Sequence, residues 1–389
     1  MNIFKKKFFI PFFLFILVFS IYQITGPVSK THWDYFVRLA DSFLHNRLYL
    51  VEGPSWLNEL VPVAVNKFYV VFPPMPAVLL MPFVYFFGPS FSQTLFSQFI
   101  GSLNAAIAYL LFLRLKFKKP QAIALSLLLT LGTNHWYLAS IGSAWYIALI
   151  IGVFFTLLSL LELFGRKRYL IVGLLIGAAY WSRLPTILSI IFPILYILKK
   201  EKKKLKPMFS LFLGASVFVI LNFSYNFFRF GTIFDVAYTK IPGILNEADF
   251  KHGLFSYKNI SKQLEVIFLK MPRFVKTPPF IYPSWYGMAV WLTTPAFLLI
   301  LKAKFKNWLS RFSALTVLIM AIPTLTHSTV GFTQFGYRYA LDFTPFLIIL
   351  TGLGMKNSHK NIVFALFTLS FLVNLWGVLW TNKFGWVGW

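Results

Sequence analysis

The stretch WYIALIIGVFFTLLSLLELFGRKR, residues 145–168, decides the class of fold. Residues 145–164 carry a single charge, Glu162, and three consecutive bases, Arg166 to Arg168, follow soon after. A helix needs roughly 20 apolar residues to cross the ~30 Å hydrocarbon core of a bilayer. Lysine and arginine collect in the short loops on the cytoplasmic side of a membrane. The stretch therefore predicts a transmembrane helix that ends in the cytoplasm.

The same pattern recurs along the whole chain of 389 residues. Hydrophobic residues make up 58% of it and charged residues 12%, whereas soluble domains carry roughly 25% charged residues. The basic clusters that separate the apolar segments are Lys5–Lys7, Arg114–Lys119, Arg166–Arg168, Lys199–Lys206, Lys302–Arg311 and Lys356–Lys360. Because the net charge of +26 is divided among these clusters, it does not predict nucleic-acid binding. We expect an all-α polytopic membrane protein with about eleven transmembrane helices.

The predicted topology follows from placing every basic cluster on the cytoplasmic side. The crossings are residues 8–25, 90–113, 121–139, 145–164, a pair within 169–198, 208–226, 285–301, 309–326, 340–355 and 361–381. The N-terminus then lies in the cytoplasm, and the C-terminus and two large loops, residues 26–89 and 227–284, lie outside. Trp380, Trp386 and Trp389 suit the outer membrane interface.

Two apolar segments are too short for ordinary crossings. Residues 73–88 contain four prolines, which break helix interiors, so they predict a juxtamembrane helix on the outer surface. Residues 169–198 lie between two basic clusters and are too few for two full spans. They predict two short helices that meet near Arg183, where Pro185 disfavours helix in the residue before it.

The chain has no cysteine, which excludes disulfides, thiolate metal sites and cysteine nucleophiles. The apolar N-terminal segment lacks a small-residue cleavage pattern, so we read it as an uncleaved first helix. Three of the six histidines, His32, His135 and His327, fall near the outer face in this topology and leave a composite metal site open.

The chain has only eleven carboxylates, and most of them fall in the two large loops. The loop acids are Asp34, Asp41, Glu52, Glu59, Asp235, Glu247, Asp249 and Glu265. This concentration favours a site at the outer membrane face. The alternative is that solvated loops simply hold whatever acids the chain has.

Asp34 follows the first helix, and Asp34, Arg38 and Asp41 fall at helical spacing on one face. A carboxylate among aromatic residues at an interface gains basicity through desolvation, which suits a general base. The structural alternative is a helix N-cap followed by an intrahelical ion pair.

Two arginines stand out among the many bases. Arg183 falls within the apolar layer at the predicted helix break, where a charge costs roughly 2.5–3.5 kcal/mol on insertion scales. Arg183 could bind a lipid phosphate in a cavity or pair with a carbonyl, and the sequence leaves both roles open. Arg338 precedes Asp342 by four residues, so the two side chains are expected to meet on one helix face. That pair would hold an anion or act as a structural clamp.

The order of these features resembles the GT-C class of polytopic glycosyltransferases, such as protein O-mannosyltransferases and lipid A aminoarabinose transferases. The resemblance rests on Asp34 after the first helix, the segment Phe72–Pro76, the short helices of 169–198 and the loop 227–284. It covers residues 1–300 of the single membrane domain 1–389, and residues 301–389 add C-terminal helices. The segments Glu59–Pro82 and Phe335–Tyr339 are similar to a bacterial subgroup of the class.

The resemblance implies an inverting hexosyl- or pentosyltransferase of the cell envelope, in the bacterial inner membrane. The donor would be a polyprenyl-phosphate sugar, and the acceptor a lipid, a glycan or a protein. Asp34 would be the catalytic base that deprotonates the acceptor hydroxyl, and Glu59 a second catalytic acid that positions the acceptor or a metal. Arg183 and Arg338 would offset charge on the departing phosphate. The remaining substrate-binding candidates are Arg38, Asp41, Lys67 and Tyr69.

The sequence departs from the class in two respects. Tyr35 follows Asp34, so the adjacent Asp-Glu pair of the class is missing, and no Asp-x-Asp motif occurs. These departures leave the use of a divalent metal open, and they leave the base to be chosen among Asp34, Asp41 and Glu59. The competing functions are a transporter or flippase of an amphipathic lipid, and a non-catalytic membrane protein of envelope assembly.

Overall fold

The computed structural model describes residues 2–27 and 29–387, with side chains from Phe9 onward. The side chains of Lys5–Lys7 and the whole of Trp389 lie outside the described residues. The α-helices are α1 (Asn2–Thr25), α2 (Tyr35–Leu44), α3 (Met75–Phe87), α4 (Gln93–Arg114), α5 (Lys119–Leu131), α6 (His135–Ile141), α7 (Ala144–Leu163), α8 (Tyr169–Ser182), α9 (Ile191–Lys200), α10 (Leu205–Phe230), α11 (Ile260–Phe268), α12 (Val290–Thr293), α13 (Trp308–Thr326), α14 (Thr344–Met355) and α15 (Lys360–Asn382). Strands β1 (Leu60–Ala64) and β2 (Lys67–Val70) pair antiparallel, as do β3 (Arg273–Phe274) and β4 (Ile281–Tyr282).

Five helices of the described chain are long and apolar enough to cross a membrane, namely α4, α7, α10, α13 and α15. Shorter apolar helices accompany them, namely residues 9–25 of α1 and all of α3, α5, α8 and α14. The prediction of an all-α membrane protein is confirmed at this level. Helices α4 and α7 form the centre of the bundle, since 72% and 78% of their apolar windows are buried, whereas α15 is peripheral at 22%.

The predicted break within residues 169–198 is confirmed. Helix α8 ends at Ser182, Arg183 has an extended backbone with φ −156° and ψ 111°, and a 3-10 helix from Leu184 to Ile190 leads into α9. Pro185 stands at the start of this 3-10 helix, where its missing N–H costs no helical hydrogen bond. The backbone therefore turns at Arg183.

Two of the predicted crossings are divided in the structure. The single crossing 121–139 is interrupted between α5 and α6, and 285–301 is divided into α12 and a 3-10 helix, Pro295–Lys302. Thr294 precedes a proline, which disfavours helix there. The loop before α3 contains the hairpin β1–β2, in whose turn Asn66 adopts the left-handed conformation at φ 55°.

Helices α8 and α10 approach each other through glycines. A Cβ at Gly173 would meet backbone atoms of Leu211 and Ala215, and a Cβ at Gly214 would meet those of Leu170 and Leu174. Small residues allow such close backbone contact in membrane helix pairs, where dispersion forces drive association. This contact fixes α8, and with it the position of Arg183.

Five basic clusters meet at one end of the bundle, which we call the basic end. The contacts that connect them are Arg114 with Leu161, Lys167 with Glu201, Lys200 with Trp308, Asn357 with Lys302, and Lys356 with Phe117. The opposite end, the loop end, carries a first loop between α1 and α4 and a second loop, residues 231–289. The segment 327–337 between α13 and the 3-10 helix Arg338–Asp342 joins them there.

Candidate functional site

A cavity of about 540 Å³ opens at the loop end. Both loops, the start of α7, the break after α8 and the end of α13 contribute to its wall. Its charged and polar side chains include Glu59, Arg183, Asp235, Tyr238, His327 and Arg338. Three of these, Glu59, Arg183 and Arg338, belong to the residues predicted from the sequence.

Glu59 enters the cavity because the hairpin begins directly after it at Leu60. The indole Nε1 of Trp145 donates to Glu59 Oε2 at 2.8 Å, and the Tyr238 hydroxyl donates to Oε1 at 3.3 Å. Burial raises the pKa of Glu59, against the opposing effect of these two hydrogen bonds and of Arg338. The carboxylate is therefore fixed in place and more basic than an exposed glutamate.

Arg338 brings a positive charge to the same cavity. Its side chain is only 8% exposed, and Nη1 donates to the carbonyl of Phe332 at 3.0 Å. No carboxylate within the described residues forms an ion pair with it, and its Nε has no hydrogen-bond partner there. A buried charge of this kind normally has a counter-ion, so an anionic ligand would complete the site.

The expected pairing of Arg338 with Asp342 is wrong. The Nε of Arg183 lies 2.8 Å from Asp342 Oδ2 and 2.9 Å from Oδ1, and the Asp342 side chain is 1% exposed. Residues 338–342 form a 3-10 helix with roughly three residues per turn, so positions four apart diverge instead of sharing a face. Arg183, expected either to bind phosphate or to pair with a carbonyl, is neutralised by a carboxylate.

The second loop contributes Asp235 and Tyr238, which the sequence did not distinguish from the other loop residues. Burial raises the pKa of Asp235, with the nearby Arg229 acting in the opposite direction. A small apolar core holds this part of the loop against the hairpin; its members are Val61, Val71, Ala237, Ile241, Ile244 and Phe250. The sequence signal for this part of the loop was that Asp235 is one of the few acids of the chain.

Arg229 links the end of α10 to the hairpin. Its Nη1 donates to the Val70 carbonyl at 2.6 Å, and its guanidinium stacks on the Tyr225 ring at 3.7 Å from the ring centroid. The sequence offered this residue only as one base among many. In the structure it fixes the hairpin that positions Glu59.

His327 follows the last residue of α13 and lies between the rings of Phe255 and Tyr339, 5.6 and 5.5 Å away. Burial lowers the pKa of His327 to about 4, so its imidazole is neutral at physiological pH. It therefore adds a polar but uncharged group to the cavity wall.

The acids of α2 do not line the cavity. Asp34 is the N-cap residue of α2, and Arg38 Nε lies 2.8 Å from its Oδ1, which is the ion pair that the sequence left open. Asp41 points toward His45, whose Nδ1 is 3.7 Å from Asp41 Oδ1. A catalytic role for Asp34 or Asp41 stays a prediction without a place in this cavity.

Lys67 and Tyr69 also lie outside the cavity wall. Lys67 is exposed on β2, with its Nζ 5.2 Å from the Tyr49 ring centroid. Tyr69 packs edge-on against Phe230 with the ring centroids 5.2 Å apart. In this structure Lys67 contacts the Tyr49 ring, and Tyr69 packs the hairpin against the end of α10.

The histidines do not combine into a metal site. His135 is buried in the bundle, where Tyr22 Oη and Asn104 Nδ2 each lie 3.0 Å from its ring nitrogens. In the described part of the chain, no group of three His, Asp or Glu side chains is placed to hold a metal ion.

No protein-family model matches the chain, and no curated protein is significantly similar to it. The geometry therefore carries the functional argument. It offers a basic carboxylate and a guanidinium that has no ion-pair partner among the described residues, with an apolar wall beside them. Such a pair can accept a proton from one reactant and offset negative charge that grows on another.

Proposed function

We propose that the chain is a GT-C-type glycosyltransferase that moves a sugar from a polyprenyl-phosphate donor to a lipid, glycan or protein acceptor. The observation that carries the proposal is that Glu59 and Arg338 line the same cavity. An inverting transfer needs a base for the acceptor and a cation for the leaving phosphate. The resemblance of the sequence to that class points to the same chemistry.

In the proposed step, the Glu59 carboxylate takes the proton of an acceptor hydroxyl. The acceptor oxygen attacks the anomeric carbon, and the bond from that carbon to the phosphate oxygen breaks. The electron pair leaves with the polyprenyl phosphate, whose added negative charge Arg338 offsets. Trp145 and Tyr238 orient the carboxylate through their hydrogen bonds.

The apolar part of the cavity wall suits the lipid part of such a donor. Phe72 and Pro73 lie on one side, and Leu184, Leu188 and Pro323 come from the helix break and from α13. Most ligand pockets combine an apolar wall with a few polar groups that fix orientation. A polyprenyl chain on the apolar side would bring its phosphate to Arg338.

The proposed topology keeps about eleven crossings, with the basic end in the cytoplasm and the loop end outside. The meeting of five basic clusters at one end supports this orientation. The cavity then lies at the outer face of the membrane, where α3 would be a juxtamembrane helix. Lipid-linked donors of the inner membrane would reach it from the bilayer.

Transfer assays on membranes that contain the full chain test the proposal. A panel of radiolabelled polyprenyl-phosphate hexoses and pentoses serves as donor, with endogenous acceptors. We expect label to enter an acceptor with the wild-type chain, and Glu59→Gln to lower the rate by roughly 10²–10⁴-fold, the usual contribution of a general base. Glu52→Gln, at an exposed acid of the same loop, is the matched control.

Two results would contradict the proposal at different levels. Full transfer by Glu59→Gln would remove Glu59 from the mechanism while keeping the enzyme class. Absence of transfer from every donor, together with movement of labelled lipid between leaflets, would identify a flippase instead.

A further inference from the structure

A second cavity of about 570 Å³ lies at the basic end, between α5 and α15. It shares no residue with the cavity of Glu59 and Arg338. Its volume falls within the roughly 300–1,000 Å³ of small-ligand sites. The proposed transfer reaction gives it no role.

The wall of this groove is almost entirely apolar. Ala124 and Leu128 line it from one face of α5, and Val363, Phe367 and Phe371 line it from one face of α15. Helix α15 is peripheral, and Phe364, which also lines the groove, is 74% exposed. In a membrane-embedded chain the groove therefore opens to the lipid.

The length of the groove matches one leaflet of a bilayer. Its lining on α15 runs from Lys360 to Phe371, which corresponds to roughly 16 Å at ~1.5 Å per residue. This is about half of the ~30 Å hydrocarbon core. An acyl chain that starts at the basic end would reach about the midplane of the bilayer.

The polar mouth of the groove favours an anion. Gln121, Ser358 and Lys360 line it, and both helices begin there, so their positive N-terminal dipoles point at the mouth. Residues 112–131 and 344–383 contain no acid. Several bases lie near the mouth in sequence, namely Arg114, Lys116, Lys118, Lys119 and Lys356.

We infer that the groove between α5 and α15 binds an anionic phospholipid from the leaflet nearer the basic end. One acyl chain lies between the two helices, and the phosphate lies at Lys360. Basic pockets between membrane helices bind acidic lipid headgroups in this way. The apolar length selects a lipid chain, and the bases select a negative headgroup over a zwitterionic one.

Native mass spectrometry of the detergent-purified full chain tests this inference. The chain is titrated with phosphatidylglycerol or with phosphatidylcholine of identical acyl chains. We expect Lys360→Gln to reduce retention of phosphatidylglycerol by about fivefold, a typical contribution of one base near an anionic headgroup. The control Lys383→Gln, at the exposed far end of α15, leaves retention unchanged.

A second measurement uses the absence of cysteine from the chain. A fluorophore on Ala124→Cys, inside the groove, is compared with one on Ile362→Cys, which is 54% exposed on α15. Brominated phosphatidylglycerol should quench the first more than brominated phosphatidylcholine does, and both lipids should quench the second equally.

Unchanged retention in Lys360→Gln, with equal quenching of Ala124→Cys by both lipids, would overturn the inference. A dimer in the wild-type spectrum that Ala124→Trp converts to a monomer would overturn it as well, because the groove would then be an interface between two copies.

Discussion

The guanidinium of Arg183 holds both carboxylate oxygens of Asp342, across 159 residues of chain, at 2.8 and 2.9 Å from Nε. The pair connects the break after α8 to the 3-10 helix that begins at Arg338. It therefore joins two walls of the same cavity. It also neutralises Arg183, so that Arg338 is the arginine of the cavity wall without an ion pair among the described residues.

Breaking this pair on one side should cost more stability than removing both partners. In Arg183→Met the Asp342 carboxylate stays buried without a counter-ion, at an expected cost of about 3–5 kcal/mol. The double variant Arg183→Met/Asp342→Leu removes both charges and should recover most of that loss. Thermal unfolding of the detergent-purified chains measures the difference. A double variant no more stable than the single one would contradict this account of the pair.

The positions of the long helices could be predicted from the sequence, because a membrane span needs a long apolar run and cytoplasmic bases mark its end. A run of apolar residues ended by bases predicted 145–164, and α7 covers Ala144–Leu163. The pattern failed within residues 285–301, where the backbone leaves α-helical geometry. The apolar residues of 295–302 are as suited to a membrane as any others, yet a proline at position 295 and the packing on α14 gave a 3-10 helix.

The pH dependence of transfer should reflect the raised pKa of Glu59. A base must be deprotonated, and burial raises the pKa of this carboxyl above its ordinary value of 4.5. Activity should therefore fall as the pH decreases through a value above 4.5, with the acidic limb displaced toward neutrality. Rate profiles of kcat/KM from pH 4 to 8 test this. An acidic limb at or below the ordinary glutamate value would argue against Glu59 as the base.

The same pKa shift predicts that Glu59→Gln stabilises the fold while it removes activity. A carboxyl whose folded pKa is raised contributes stability when protonated and loses that contribution as the pH rises through the folded pKa. The variant should therefore melt higher than the wild type near pH 7, and the difference should shrink toward about pH 4. Melting curves of both proteins across this range provide the measurement. A lower melting temperature for the variant at pH 7 would contradict the prediction.

The candidate site was predictable only in part. Glu59 and Arg338 stood out as a scarce loop acid and an arginine in a distinctive segment, and both line the cavity. The choice between Asp34 and Glu59 depended on which acid turns inward. The hairpin after Glu59 turns this acid into the cavity, and its effect cannot be read from spacing. The ion pair of Asp34 with Arg38 was one of the two readings that their spacing left open.

Arg338 should matter for the chemical step through its charge and its geometry. Arg338→Gln removes the cation from the cavity and should lower kcat by roughly 10²–10³-fold, the usual loss for one donor to a developing oxyanion. Arg338→Lys keeps the charge but loses the fixed fork of donors, one of which binds the Phe332 carbonyl. Its kcat should therefore lie between that of the wild type and that of Arg338→Gln. Arg166→Gln, at an exposed arginine of the basic end, is the control. Steady-state transfer rates separate these outcomes, and equal rates for wild type and Arg338→Gln would exclude the role.

The glycine contact between α8 and α10 should control the site from a distance. In Gly173→Val the new side chain meets the α10 backbone near Leu211, so the helices must separate, at an expected cost of about 1–3 kcal/mol. Because α8 ends at Ser182, its displacement moves Arg183 away from Asp342 and lowers transfer activity as well. Gly152→Ala is the matched control, since its Cβ would meet only the Thr186 methyl at an ordinary 3.5 Å. Unfolding and transfer assays on the two variants test the coupling. If Gly173→Val loses stability but keeps the wild-type rate, the position of Arg183 does not depend on this contact.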